Sequence, residues 1–165
     1  MKSTSRLWRW LGLIFVLSFG ALGYLGWQIY LTAPPIPKAV VTTDGDVLFS
    51  GDQVQRGQQA WMSAGGQQLG SVWGHGSYVA PDWSADWLHR EATALHELWA
   101  QRDAGKAYAD LDAVQQAELQ ARLQQTRRTN TYDPATGVIT VDEDRAQAIR
   151  QVNDHYMRLF GPDVE

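Results

Sequence analysis

The histidines are the side chains of this sequence best suited to acid–base catalysis or metal binding at neutral pH. There are four, His75, His89, His96 and His155, and none belongs to an H-E-x-x-H zinc motif. His89 and His96 are seven residues apart in a predicted helix. They therefore share a face but lie too far apart to bind one metal ion together. We interpret both as surface histidines.

His75 differs because glycines flank it in the run Trp73-Gly-His-Gly-Ser-Tyr78. This pattern indicates either a tight turn packed on Trp73 or the close approach of another group to the backbone.

Glu91 and Glu97 are six residues apart on a predicted helix, which does not support a pair of catalytic carboxylates, and we interpret them as solvated charges. The sequence therefore contains no self-sufficient catalytic site.

The chain has no cysteine, which excludes disulfides, thiolate nucleophiles, zinc ribbons, iron–sulfur clusters and covalent haem attachment through C-x-x-C-H.

The charged residues are unevenly distributed. Three basic residues precede a long apolar segment at the N-terminus, and the remainder of the chain carries 11 basic and 18 acidic residues, a net charge of about −7. A surface this acidic does not suit phosphate contacts, so nucleic-acid binding is excluded.

The segment from Trp10 to Ala33 has no charged residue and is long enough to cross a bilayer as a helix. Tryptophan and tyrosine lie at both ends, and Lys2, Arg6 and Arg9 predict that the N-terminus is cytoplasmic. A cleaved signal peptide is the alternative, but Leu31-Thr-Ala33 before two prolines is a poor cleavage site. We therefore predict a retained anchor of residues 1–33.

The exported part is predicted to be mainly helical. Residues 34–51 are expected to form an extended linker and a hairpin with a type I′ turn at Asp44-Gly45, followed by a domain of residues 52–165. Its predicted helices span about 53–63 with Asp52 as the cap, 84–102, 112–127, and a last one from about 142. Strand-like segments flank the turn at 133–137. Two apolar stripes are expected to be buried: Leu88, Ala92, Leu95 and Trp99, and Ala146, Ile149, Val152, Tyr156 and Leu159.

Several segments together resemble the N-terminal region of the quinol-dependent nitric oxide reductases. They are Pro34–Pro37, Val47–Phe49, Arg56–Trp61, Gly65–Glu91 and Arg128–Gly137. The resemblance implies a bacterial inner-membrane enzyme that reduces nitric oxide to nitrous oxide with electrons from quinol. It also implies a fold of one transmembrane helix followed by a cytochrome c-like domain without haem. Haem b and non-haem iron are expected in a separate catalytic bundle of membrane helices, so this chain resembles an N-terminal portion of that enzyme.

The sequence is also similar to the haem-carrying small subunit of the cytochrome c-dependent nitric oxide reductases. There, Arg-Gly-x-x-x-Trp precedes C-x-x-C-H, and Gly-x-Gly-x-Tyr-x-Ala-Pro follows it. The matching residues here are Arg56, Gly57, Trp61, Gly74, Gly76, Tyr78, Ala80 and Pro81. The resemblance places the two thioether positions on Gly66 and Leu69, and the axial histidine on Gly70.

In the related subunit the Gly-x-Tyr segment reaches a calcium ion at the contact with the catalytic subunit. The resemblance therefore implies Gly76 and Tyr78 as calcium contacts, with most ligands coming from a partner. The large aromatic side chains among glycines in the segment 73–87 predict the docking surface for the catalytic bundle, with Trp73, His75, Tyr78 and Trp83 as interface residues. The alternative is that these aromatic side chains fill the domain's own core. Two other hypotheses stay open: a free-standing membrane-anchored binding or assembly module, and a domain that holds non-covalent haem through His75.

Overall fold

The computed structural model describes residues 2–72, 74 and 81–161 of the chain. It divides into two compact units, residues 1–35 and residues 36–165. The first unit contains helix α1, Lys2–Thr32, in which residues 4–32 are long and apolar enough to cross a membrane. Its apolar side chains are exposed, as expected for a helix whose surroundings are lipid. The predicted apolar helix is confirmed.

A four-stranded sheet lies in the second unit. Its strands are β1 (Ala39–Thr42), β2 (Val47–Ser50), β3 (Tyr132–Asp133) and β4 (Val138–Val141), in the order β2-β1-β4-β3. The β1–β2 and β3–β4 pairs are antiparallel, as the turn signals between them indicate, whereas β1 and β4 run parallel. The parallel pairing was not predicted, since it joins residues about 100 positions apart in the sequence.

The first hairpin has a different turn from the one predicted. The Gly45 N–H donates to the Thr42 carbonyl, so Thr43 and Asp44 are the central residues of the turn. Gly45 follows with φ of +94°, and the pairing register shifts between Val40 and Val41. This is a longer connection than a two-residue type I′ turn, with glycine at the left-handed position that it tolerates best.

The helices of the second unit are α2 (Gly51–Ser63), α3 (Gly66–Leu69), α4 (Trp83–Ala104), α5 (Ala113–Arg128) and α6 (Glu143–Phe160), with a 3₁₀ turn at Tyr108–Asp110. The cap of α2 is Ser50 rather than Asp52, because Ser50 and Gln53 form a reciprocal capping box. Asp82, Asp112 and Asp142 cap α4, α5 and α6. The short helix α3 was not among the predicted helices.

The hydrophobic core lies where α4 packs against α5 and α6. Its buried members are Leu95, Trp99, Ala100, Leu111, Leu119 and Ala148. Two residues expected to be buried in apolar stripes are exposed: Leu88 is 41% exposed and Leu159 is 45% exposed. Each stands near one end of its helix.

Candidate functional site

The segment between α3 and α4 contains most of the predicted site residues. Trp73, His75, Gly76 and Tyr78 lie outside the residues that the structure describes. The two ends of the segment are described, and hydrogen bonds join them. The Ser71 N–H donates to the Pro81 carbonyl at 2.9 Å, and the Trp83 N–H donates to the Ser71 carbonyl at 2.9 Å.

Asp82 holds these ends and the start of α4 together. Its carboxylate accepts the backbone N–H of Gly74 at 2.6 Å, of Ser84 at 2.9 Å and of Ala85 at 3.1 Å. The hydrogen bond from Ala85 is the main reason that the pKa of Asp82 is lowered. One carboxylate therefore both caps α4 and ties the beginning of the loop to its end.

Two tryptophan rings occupy the space beside the positions that correspond to haem attachment. A Cβ added at Gly66 would overlap the ring of Trp61, and one added at Gly70 would overlap the ring of Trp83. The Trp61 and Trp83 rings meet edge to face with centroids 6.5 Å apart. Any side chain at Gly66 or Gly70, including a cysteine or a histidine, would have to displace an indole.

Leu69, at the other thioether position, is 59% exposed. The residues present therefore do not fit a covalently attached haem: neither sulfur nor imidazole is available at these positions, and the adjacent space is filled by aromatic side chains. The absence of cysteine predicted that no sulfur is available for attachment. The sequence did not show that aromatic side chains fill the adjacent space, because this depends on the orientation of the Trp61 and Trp83 rings.

Trp83 also belongs to a wider aromatic cluster, which we define as Trp61, Trp83, Trp87, Tyr156 and Phe160. Trp83 meets Tyr156 with centroids 6.3 Å apart and Phe160 at 5.6 Å. Trp87 stacks on Tyr156 at 5.5 Å with an interplanar angle of 5°. The predicted interface residue Trp83 thus packs within its own domain, although its side chain is only half-buried.

A hydrogen-bonded triad lies beside this cluster. The Tyr156 hydroxyl donates to Asp86 Oδ2 at 2.6 Å, and Arg90 Nε donates to the same oxygen at 2.7 Å. These bonds lower the pKa of Asp86, with that from Arg90 the larger cause. Burial, followed by the bond to Asp86, raises the pKa of Tyr156 to about 12. Tyr156 therefore keeps its proton at neutral pH, whereas Asp86 is ionised.

The interpretation of Glu91 as a solvated charge was wrong. Glu91 is 2% exposed, and its carboxylate lies 2.8 Å from Arg145 Nε and 3.5 Å from Arg127 Nη2. Two arginines from α5 and α6 therefore neutralise a carboxylate buried between three helices. Glu97 is exposed, as expected, and accepts the Tyr108 N–H at 3.0 Å.

The histidines are not brought together into a metal site. His96 stacks on Tyr108 with ring centroids 4.4 Å apart, whereas His89 and His155 line a groove of about 320 Å³ between α4 and α6. His96 is half-buried, so its interpretation as a surface histidine was only partly right. Within the described ranges, no three histidine or carboxylate side chains are grouped to hold a metal ion.

Fold and site together define a mainly helical domain that follows a candidate membrane-spanning helix and in which indole rings lie against Gly66 and Gly70. The family model that describes the cytochrome c-like domain of the nitric oxide reductase NorB matches residues 37–165, so the chain belongs to this family. None of the curated proteins searched is significantly similar to the chain.

Proposed function

We propose that this chain is the N-terminal structural and docking portion of a membrane nitric oxide reductase that takes its electrons from quinol. Membership of the NorB family supports a role in nitric oxide reduction. The quinol donor is supported by the resemblance of the Gly65–Glu91 segment to quinol-dependent enzymes. Haem b and non-haem iron belong to the catalytic bundle, which is this domain's partner.

The observation that carries the structural role is the pair of tryptophan rings beside Gly66 and Gly70. In a redox subunit of this kind, the same backbone would hold a haem that passes electrons. Here aromatic side chains take that space, so the domain keeps its shape without the cofactor. Electrons therefore reach the catalytic bundle without passing through a haem in this domain.

The proposed location is the bacterial inner membrane, with α1 as a retained anchor. Basic residues before the span favour a cytoplasmic N-terminus, which places residues 34–165 on the periplasmic side. The proposed boundaries are 33/34, where the apolar helix gives way to the proline-rich segment, and 51/52, after the first hairpin.

The proposed docking surface is the segment 73–87. Trp73, His75 and Tyr78 are its proposed contacts, together with the accessible part of Trp83 beside the aromatic cluster. Gly76 and Tyr78 are the proposed calcium contacts, completed by oxygens from the catalytic bundle. Asp82 supports this proposal because it ties both described ends of the segment to the start of a rigid helix.

The experiment is assembly of the complete enzyme with Tyr78→Ala, compared with Tyr132→Ala in strand β3 as the control. Loss of an interface tyrosine typically weakens association by about 2 kcal/mol or more. We expect Tyr78→Ala to reduce co-purification with the catalytic bundle and quinol-driven nitric oxide consumption, while the melting temperature of the chain is unchanged. Equal assembly of the two variants would contradict the docking assignment.

The chain alone provides the second test. We expect it to show no Soret band and no nitric oxide consumption. A stoichiometric haem would instead support the hypothesis of non-covalent binding through His75. A gene context without any multi-span catalytic segment would favour the free-standing anchored module.

A further inference from the structure

The aromatic cluster brings together three tryptophans and a tyrosine, side chains that one-electron oxidants attack. The chain has no cysteine, so thiols cannot take up oxidising equivalents, and tryptophan and tyrosine are the next candidates alongside methionine. Trp61, Trp83, Tyr156 and Trp87 form a continuous series in which successive ring centroids are 6.5, 6.3 and 5.5 Å apart. Rings this close allow an electron vacancy to move from one to the next.

A nearby proton acceptor determines which of these side chains stays oxidised. Oxidation turns a phenol into a strong acid, so a tyrosine holds the vacancy best when a base accepts its proton at once. Tyr156 has the ionised Asp86 at 2.6 Å for this purpose. Among the described residues, the indole Nε1 of Trp83 is buried without a hydrogen-bond acceptor. An oxidised Trp83 therefore has no described acceptor for its proton and passes the vacancy on.

We propose that Tyr156 is a site of oxidation and nitration, at which the domain takes up oxidising equivalents from nitrogen dioxide through Trp83 and Trp87. The source of this oxidant rests on the proposed function, because nitric oxide forms nitrogen dioxide wherever it meets oxygen. Nitrogen dioxide takes one electron and becomes nitrite, while Tyr156 becomes a phenoxyl radical and its proton moves to Asp86. A second nitrogen dioxide then bonds to the ring carbon beside the phenolic oxygen, that carbon loses its hydrogen as a proton, and the oxygen regains a proton from Asp86, which gives 3-nitrotyrosine.

Packing alone would explain why the rings touch, but not why one phenol stands against a carboxylate. Tyr108 shows the difference within the same domain. It is also half-buried and also stacked, yet its hydroxyl accepts a hydrogen bond from Gln120 at 3.3 Å rather than donating to an acid. Tyr108 is therefore a matched internal control.

The test exposes the detergent-solubilised full chain to nitrogen dioxide made by radiolysis of nitrite, and maps nitrotyrosine by peptide mass spectrometry. We expect Tyr156 to be nitrated several-fold more than Tyr108 or Tyr132. Asp86→Asn, which keeps a hydrogen-bond acceptor but is not a base, should reduce the Tyr156 share several-fold.

Trp83→Phe and Trp87→Phe should reduce it as well, because they keep a ring in place but remove the oxidisable indole. Trp99→Phe beside Tyr108 is the control and should leave the Tyr156 share unchanged. Circular dichroism melts identify any variant that fails to fold, and freeze-quenched electron paramagnetic resonance should show a tyrosyl radical that Tyr156→Phe abolishes.

Equal nitration of Tyr156 and Tyr108, or a Tyr156 share unaffected by both tryptophan variants and by Asp86→Asn, would overturn the proposal. The assay contains no turnover, so its failure would leave the nitric oxide reductase assignment untouched. Conversely, a chain with no part in nitric oxide reduction would still concentrate nitration on Tyr156.

Discussion

Glu91 is the carboxylate on which three helices of the domain converge. Replacing it with alanine leaves Arg127 and Arg145 facing each other without a counter-ion. Removing one partner of a buried ion pair typically costs about 3–5 kcal/mol, and we expect the lower end because both arginines are partly exposed. Urea unfolding of Glu91→Ala measures this.

Glu118→Ala is the matched control, because Glu118 is exposed on α5. A surface substitution of this kind is expected to change stability by less than about 0.5 kcal/mol. Similar losses for the two variants would show that Glu91 is not the electrostatic centre of the helix packing.

His96 predicts how stability depends on pH near neutrality. Burial lowers its pKa, although the nearby Leu119 carbonyl acts in the opposite direction. The His96 imidazole therefore binds a proton more readily in the unfolded chain than in the folded one. As a result, the free energy of unfolding falls as the pH drops below about 6.5. We expect a slope of at most about 1.4 kcal/mol per pH unit, removed in His96→Phe, from urea unfolding between pH 5 and 8.

Other titrating groups act in a separate range. The pKa values of Asp86 and Asp144 are lowered, so their contributions are present above the ordinary aspartate value of 3.8 and are lost only at lower pH. Substituting the exposed His89 with asparagine is the control. An unchanged slope in His96→Phe would contradict the assignment.

Residue types predicted local features of this domain well, but not partners that are distant in the sequence. Glu91 was placed on the correct helix, yet its arginines lie 36 and 54 residues further on, and no local pattern indicates them. The capping box Ser50-x-x-Gln53 is present in the sequence, but Asp52 satisfies the same preference for a cap and was predicted instead. The resemblance to a haem-carrying subunit, together with the absence of cysteine, predicted a domain without attached haem, and that remains a prediction.

At the level of elements, Gly66, the first residue of α3, and Gly70, which follows α3, allow the indoles to pack against the backbone. Gly66→Ala and Gly70→Ala force Trp61 and Trp83 to move, and such overpacking typically costs about 1–3 kcal/mol. Thermal unfolding should show a lower melting temperature for both.

The control is Gly57→Ala in the middle of α2, where a Cβ meets nothing within 4 Å. Because alanine suits a helix better than glycine, this variant should gain about 0.5–1 kcal/mol. A loss of stability at Gly57 similar to that at Gly66 would mean that backbone conformation, and not the indoles, sets the effect.

Pairing between elements was harder to predict than the elements themselves. Turn signals indicated both antiparallel hairpins, since their residues are neighbours in the sequence. No turn signal indicates the parallel pairing of β1 with β4, because the two strands are far apart in the sequence. Likewise, the apolar spacing placed Leu95 and Trp99 in the core correctly, whereas Leu88 of the same stripe is exposed.

On the scale of the whole molecule, absence of cysteine provides a direct test of topology. A single cysteine placed at Ser5 or at Lys106, both exposed, can be labelled with a membrane-impermeant maleimide. In intact cells we expect labelling of Lys106→Cys but not of Ser5→Cys, because the basic N-terminus stays in the cytoplasm. Lysed cells should label both, and the reverse pattern in intact cells would invert the proposed orientation.

The parallel strand pair has a consequence for the order in which this protein takes shape as it is made. Val40 pairs with Ile139, so the sheet cannot close until nearly the whole domain has left the ribosome. Contacts this far apart in the sequence form slowly. In the interval β1 has only β2 beside it and presents a free edge to other chains. Until β4 is made, this strand is therefore unprotected, and its edge is the place where a chaperone would protect the chain from aggregation.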